Sequence, residues 1–329
     1  MRKTSWIEIM NEKKIKLGIV MDPIETIDPK KDSSLAMLLE AKKRNYEIYY
    51  MQQQDLKLIE GQALAGANII DVFDNNKEWF KASKKLELNL KELDVILMRK
   101  DPPFDMEFIY TTYILDKAEQ QGVLVVNKPS ALRDMNEKVY TSWFPECTPP
   151  TLITRSIKEM KSFLKKYKKL VIKPLDGMGG QSIFALNESD KNTNVILETL
   201  TDYGTRYAMS QLYIPEITKG DKRILLIDGK PIPHALARIP PEDDNRGNLV
   251  MGAKGEGRDL TERDEMICES IGETLRNKGV LFCGIDVIGD YLTEINSTSP
   301  TGIKELDRIF DINIAGVLFD AIEKKLNTN

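Results

Sequence analysis

Apolar and polar positions first settle into a regular pattern at Ile15. Lys16–Val20 is a short apolar run that predicts a buried strand. Asp32, Ser33 and Ser34 then offer caps for a helix whose Leu35, Leu38 and Leu39 share one face. Glu47–Met51 reads as a second strand, whereas residues 52–92 are polar and follow no single period. Beyond them come a buried strand at Asp94–Met98, a helix at Met106–Gln121 and another strand at Val123–Asn127. This alternation predicts a parallel sheet with covering helices, an N-terminal α/β domain over residues 15–133. The charged residues 1–14, with a second methionine at Met10, read as a disordered extension.

The pattern changes after Arg133. A helix is expected over Ile157–Lys168, and Leu170–Lys173, Ser182–Leu186, Tyr207–Ile214, Arg223–Ile227 and Pro233–Ile239 read as strands joined by short turns such as Asp228-Gly229-Lys230. That predicts an antiparallel region. Thr261 caps a helix to about Lys278, Phe282–Ile288 and Leu292–Ile295 pair across Gly289-Asp290, and a helix over Ile312–Lys325 closes the chain. The stretch 239–257 is rich in glycine and charge and has no period, so it reads as a long lid loop with Arg238 at its entrance and Arg246 within it.

Length and charge narrow the function. At roughly 150 residues per domain, 329 residues suggest about two domains, and 41% hydrophobic residues can bury a sizeable core. With 47 Lys and Arg against 51 Asp and Glu, the net charge is -4, so no positive field holds a nucleic-acid backbone. No run reaches the ~20 apolar residues that span a bilayer, and the N-terminus lacks a signal peptide's apolar stretch, so neither a membrane nor an export role is expected. Cys147, Cys268 and Cys283 show no CxxC spacing and read as thiols of a reducing cytoplasm. The single histidine, His234, rules out a multi-histidine metal site and reads as structural.

Three segments suit anionic chemistry. Val171-Ile172-Lys173-Pro174-Leu175-Asp176-Gly177-Met178-Gly179-Gly180 ends an apolar strand with a lysine and follows it with a glycine loop. Lysine is a point charge for phosphate oxygens, and glycines let backbone N–H groups approach an anion; a plain hairpin with a surface lysine has the same composition. The second segment is the 239–257 stretch. In the third, Glu294 and Asn296 are two apart on a strand and share a face, where two oxygen donors could take Mg²⁺, with Asp286 as a third. That set requires Asp286 to lie opposite Glu294. A plain two-residue turn at Gly289-Asp290 places Asp286 opposite Thr293 and facing away, so a shared site demands a bulge or a longer loop.

Taken in order, Lys138, Lys173 with its glycine loop, Gln211–Pro215, Asp221-Lys222-Arg223, the long loop and Asp286…Glu294-Ile295-Asn296 resemble the ATP-grasp ligases. The match is closest to the prokaryotic-type glutathione synthetase family, on Gly18–Ile24, Met98–Asp105, Asn127-Lys128-Pro129, Lys173–Gly180 and Glu294–Thr301. Its departures are the N-terminal leader and the acidic Glu242-Asp243-Asp244 in the lid. The resemblance implies an ATP-grasp fold over 134–329, with a central lid part at 134–214 and a C-terminal antiparallel α+β part at 215–329. It implies an ATP-dependent ligase that joins γ-glutamylcysteine to glycine through an acyl phosphate, giving glutathione, ADP and phosphate.

In that frame Lys138, Lys173, Gly177, Met178, Gly179, Gly180, Gln211, Leu212, Tyr213, Ile214 and Asp221 would bind the nucleotide. Asp286, Glu294 and Asn296 would hold Mg²⁺, or Mn²⁺ in its place. Arg223 and Arg238 would act on the intermediate, and Arg99, Arg246, Ser299, Pro300 and Thr301 would bind substrate. A homo-tetramer follows from the resemblance alone. Two neighbouring readings stay open at this point: another carboxylate–amine ligase of the D-alanine–D-alanine type, and a nucleotide-binding module without turnover. A dinucleotide-binding oxidoreductase is disfavoured, because no GxGxxG follows the first strand.

Overall fold

The computed structural model describes residues 14–177, 179–241 and 254–328. The first sheet is built from β1 (Lys16–Met21), β2 (Glu47–Met51), β3 (Leu56–Ile59), β4 (Gln62–Val72), β5 (Phe80–Ala82), β6 (Leu86–Asn89), β7 (Val95–Arg99) and β8 (Leu124–Val126). Its order is β3-β4-β2-β1-β7-β8, with β5 and β6 also paired to β4. β2, β1, β7 and β8 are parallel, as the alternation predicts. The antiparallel flank around β4 comes from the segment whose pattern gave no element. The first half of β4 buries only Ala63, Ala65 and Ala67, residues of low strand propensity, and the buried side switches to Ile70 and Val72 in the second half, so its alternation is hard to see in sequence. Helices α1 (Ser33–Lys43) and α2 (Met106–Glu119) cover the parallel part, started by Asp32, which accepts from Leu35 N at 2.6 Å, and by Asp105, which accepts from Phe108 N at 2.9 Å.

A short α3 (Pro129–Asp134) leads into the second unit: β9 (Thr151–Thr154), α4 (Ile157–Tyr167), β10 (Lys169–Pro174), β11 (Phe184–Asn187), α5 (Thr193–Thr201) and β12 (Ala208–Leu212). Its strands run antiparallel in the order β11-β10-β12-β9. Met160 and Leu164 of α4 and Leu197 and Leu200 of α5 close over Leu170, Ile172, Leu186 and Ala208. β11 starts two residues later than expected, because Ser182 has φ +56° and belongs to the turn.

The third sheet comprises β13 (Asp221–Ile227), β14 (Lys230–Ile239), β15 (Lys254–Asp259), β16 (Phe282–Ile288) and β17 (Tyr291–Asn296), in the order β15-β14-β13-β16-β17. It carries α6 (Glu262–Lys278), α7 (Ile303–Phe310) and α8 (Ile314–Leu326). The aperiodic 239–257 stretch is therefore not all loop: Gly255 pairs with Arg238 and Glu256 with Ala237. Tertiary packing decides this, since a Cβ on Gly257 would lie 2.5 Å from Ile309, so glycine lets β15 press onto α7. Residues 242–253, with Arg246 and the acidic Glu242-Asp243-Asp244, lie outside the described residues, as do the extension's residues 1–13. The closing helix is preceded by α7, which the pattern did not predict, and Asp311, at φ 51°, turns the chain between the two. Leu318 and Phe319 of α8 share one core with Leu17, Ile19 and Leu35 of the first unit and Leu225 and Leu236 of the third.

Candidate functional site

A cleft of about 490 Å³ lies between these units. Its inner end is built by strand register. Asp221 and Arg223 are two apart on β13 and share a face; Arg238 of β14 stands opposite Asp221, and Asp286 of β16 stands opposite Arg223. Glu294 of β17 in turn stands opposite Asp286, because β16 and β17 shift register between Asp286 and Val287 while Ile288 still pairs with Tyr291 across the two-residue turn. The bulge set as the condition for a shared site is present. Thr293 and Glu294 both line the cleft, and Thr293 Oγ1 donates to Asp286 O at 3.1 Å.

The charges interlock. Arg223 donates to Asp286 through Nε at 2.5 Å and Nη2 at 2.9 Å, while Arg238 Nη2 reaches Asp221 at 2.6 Å and Asp286 at 2.9 Å. Burial opposes the charge on Asp286, but the two guanidinium groups outweigh it and hold its carboxyl well below the usual carboxylate range. Burial wins at Asp221, which shares Arg238 with Asp286 and is pushed up to about 7. A Cβ on Gly284 would lie 2.8 Å from Arg223 Cδ and 3.0 Å from Pro300 Cβ, so glycine there lets both close over β16.

The cations come from two further elements. Lys138 follows α3; its Nζ donates to Gly177 O at 2.8 Å and stands 3.6 Å from Glu294 Oε1. Burial works against its ammonium, but Glu294 and Glu137 hold it above the usual lysine range. Lys173, at the end of β10, donates to Gln211 Oε1 at 3.2 Å, and Gln211 donates onward to Thr151 Oγ1 at 3.1 Å. Burial lowers the Lys173 pKa. Apolar Val171, Ile183, Ala185, Leu212, Ile214 and Ile217, with Tyr213 among them, line the cleft beside these lysines.

The structure thus brings Lys138, Lys173, Gly177, Gly179, Gly180, Gln211, Leu212, Tyr213, Ile214, Asp221, Arg223, Arg238, Asp286, Glu294, Asn296, Ser299, Pro300 and Thr301 to one cleft. Met178 and Arg246 lie outside the described residues. Arg99 is buried behind the cleft lining, where Nε donates to Ser34 Oγ at 3.0 Å and Nη2 to Pro300 O at 2.9 Å. The oxygen donors of Asp286, Glu294 and Asn296 suit a hard divalent cation. Asn296 Nδ2 donates to Asp286 Oδ2 at 3.3 Å, leaving the Asn296 carbonyl oxygen outside that bond, so the residues fit such an ion.

Sequence reading missed several groups here. Asp28, Lys31, Asp32, Asp101, Glu137, Thr298 and Glu305 also line the cleft. Glu137 accepts from Thr298 Oγ1 at 2.9 Å and is raised by burial. The Asn127 carboxamide, in the Asn127-Lys128-Pro129 segment, accepts from Leu281 N at 2.8 Å and Phe282 N at 2.9 Å. It donates to Phe282 O and Ser297 O, each at 2.6 Å, tying the first sheet to the strands that carry Asp286 and Asn296. His234, as expected, packs as a structural residue, stacked 3.7 Å from Phe310 with Nδ1 2.9 Å from Asp259.

Comparison with known proteins agrees with this geometry. Residues 15–133 match the model of the prokaryotic glutathione synthetase N-terminal domain, and residues 137–311 that of the prokaryotic glutathione synthetase ATP-grasp domain. Glutathione synthetases of Escherichia coli strain K12 and Vibrio parahaemolyticus are 56% and 54% identical over 95% of this chain and 99% of theirs. Among solved structures, the D-cycloserine synthetase DcsG aligns with TM-score 0.66 at 13% identity, over 94% of this chain and 99% of that one. D-alanyl-alanine synthetase A of Vibrio cholerae aligns with TM-score 0.60 at 12% identity, over 95% and 99%. These distant likenesses establish the ATP-grasp fold, and the full-length matches establish more: the chain belongs to the prokaryotic glutathione synthetase family.

Proposed function

We propose that the protein is an ATP-dependent ligase that joins γ-glutamylcysteine to glycine, yielding glutathione, ADP and phosphate. The observation that carries this reading is the single cleft in which family membership over both units coincides with a paired row of buried charge, Asp221–Arg238–Asp286–Arg223, beside Lys138 and Lys173. The nucleotide lies between the central part, 134–214, and the C-terminal part, 215–329. Its base enters the apolar slot at Leu212–Ile214, and its phosphates meet Lys138, Lys173 and the glycine loop.

The cysteinyl carboxylate of the dipeptide attacks the γ-phosphorus, ADP leaves, and an acyl phosphate forms. The glycine amine then attacks the acyl carbon and phosphate departs, so an inert carboxylate has acquired a leaving group. Lys138 and Lys173 orient the phosphates, while Arg223 and Arg238 face the transferred group and stabilise charge as it develops. Asp286, Glu294 and Asn296 would hold Mg²⁺, or Mn²⁺ in its place, which would supply positive charge to neutralise phosphate oxygens. The lysine contact to Gly177 O is one that an incoming phosphate replaces.

The reading extends to the setting. A cytoplasmic location fits three free, buried cysteines whose thiols burial raises above the usual range. Assembly as a homo-tetramer is supported by an exposed apolar face on α2 with Met106, Tyr110 and Tyr113, and light scattering tests it. Incubation with ATP, Mg²⁺, γ-glutamylcysteine and glycine tests the activity: glutathione and ADP should appear in equal amounts. ADP release with D-alanine but not with these substrates would reject the assignment.

A further inference from the structure

Strand β17, which carries Glu294 and Asn296, is an edge strand braced from outside its own sheet. Its pairing with β16 ends at Gly284 and Asn296. Along its open side runs the segment that joins the first unit to the second: Leu292 N donates to Cys147 O and Ile295 N to Glu137 O, each at 2.8 Å. Thr298 Oγ1 adds its bond to the Glu137 carboxylate at 2.9 Å. Where the ladder stops, a side chain takes over. Asn127, the residue after β8, donates through Nδ2 to Phe282 O at the start of β16 and to Ser297 O just past β17, each at 2.6 Å.

Asn127 is 4% exposed and is not among the residues that line the cleft. Its hydrogen-bonding capacity is nonetheless spent in full, two N–H groups on those carbonyls and two lone pairs on Leu281 N and Phe282 N at 2.8 and 2.9 Å. A turned amide would set N–H against N–H and oxygen against oxygen, so one orientation alone satisfies all these partners. Asn296 thus has both chain neighbours tied down, Ile295 through Glu137 and Ser297 through Asn127. Its own Nδ2 is turned to Asp286 Oδ2. What these ties fix is the direction of the Asn296 carbonyl oxygen. For a hard cation that direction decides the bond, and the groups that orient a metal ligand are as much part of the site as the ligand itself.

We propose that Asn127 is a positioning residue for the divalent cation: through Ser297 it holds Asn296 so that the Asn296 carbonyl oxygen meets the metal. The cation itself is taken from the ligase reading above, on which the proposal rests. The addition is that the first unit, through the residue that follows its last strand, sets the geometry of a ligand carried by the third sheet. A merely architectural Asn127 would cost stability and leave metal affinity alone. Coupling separates the two roles, because a residue that acts through Asn296 has nothing left to act on once that side chain is gone.

The readout is the calorimetric affinity of the full chain for Mn²⁺ complexed with the non-hydrolysable ATP analogue AMPPNP, set beside metal-free AMPPNP in EDTA. Asn127→Asp keeps the shape and the two accepted bonds but puts oxygen against the carbonyls of Phe282 and Ser297. It should weaken binding of the Mn²⁺ complex by about 10- to 100-fold and leave metal-free AMPPNP within about threefold of wild type. Asn127→Ser, uncharged and smaller, is the second variant and should shift in the same direction. Ile19→Ala, destabilised at β1, controls for lost stability and should bind the complex like wild type. In an Asn296→Ala background, Asn127→Asp should add no more than about twofold. Folded Asn127 variants with wild-type affinity for the complex, or losses that multiply in full with that of Asn296→Ala, overturn the positioning role. An Asn296→Ala protein with undiminished affinity overturns the ligand assignment and the proposal with it, whereas wild-type protein that shows the coupling but forms no glutathione overturns the ligase reading alone.

Discussion

β1 and β13 alternate in the same way but to different ends. In β1, Leu17, Ile19 and Met21 enter one apolar core and Val20 the opposite one beside the buried Gly18, so beyond Lys16 at its start neither face carries charge. In β13, Ile224 and Leu226 face one core, with Lys222 at the start of that face paired to Asp264 of α6, but the other face changes partway, from Leu225 and Ile227 to Arg223 and Asp221. The apolar half lies in the core that α8 shares, and the charged half opens into the cleft. A sheet face carries charge where its cover stops, and there each charge needs a partner from the neighbouring strand.

The comparison breaks most sharply at Asp286. Asp286→Ala strips the shared partner from Arg223 and Arg238 and should cost about 3–5 kcal/mol of stability. Ligase activity should fall at least ~1000-fold; thermal unfolding and glutathione formation measure the two. Ile19→Ala should cost a comparable 2–5 kcal/mol, roughly the cost of a core cavity. At temperatures where it stays folded, however, its kcat and KM for ATP should match wild type. Equal catalytic damage from both changes would erase the distinction between the two strands.

Lys173→Ala should weaken nucleotide binding and activity together, by about 100-fold, because it removes a buried phosphate cation. Unchanged ATP affinity in a direct binding measurement would rule out that role. The smallest expected effect concerns pH. Asp221 is raised from 3.8 to about 7, so between those values the folded state keeps a proton that the unfolded state has released, and stability falls as pH rises. Asp221→Asn removes that term. Its Tm should therefore decline less than wild type between about pH 5 and pH 8, by roughly 2–4 °C for a chain of this size, and a parallel decline in both proteins would locate the titration elsewhere.

Much of the fold was legible because it is local. Asp32 and Thr261 cap helices within their own first turn, and apolar runs at Lys16–Val20 and Phe282–Ile288 needed no distant partner to be read as strands. The alanine-lined β4 and the glycine-bearing β15 were not legible, since each is a strand only because a neighbour is there to pair and pack with it. The same division runs through the cleft. Period-two alternation was enough to put Glu294 beside Asn296, whereas Asp221 lay outside the strand expected at Arg223–Ile227 and shares the face of Arg223 because β13 begins at Asp221.

Three things depended on the tertiary structure. The bulge at Thr293 brought Asp286 opposite Glu294, which the turn sequence left undecided between two registers. Packing against Ser34 and Pro300 drew Arg99 out of the cleft lining and left its Nη1 without a partner among the described residues. The meeting of α1, the Asp101 loop and α7 brought Asp32, Asp101 and Glu305 into one cleft lining from residues more than two hundred positions apart. Short-range sterics and alternation are written in consecutive residues, whereas the pairing of charges across a cleft is set by which distant segments the shared core of Leu17, Leu236 and Phe319 holds together.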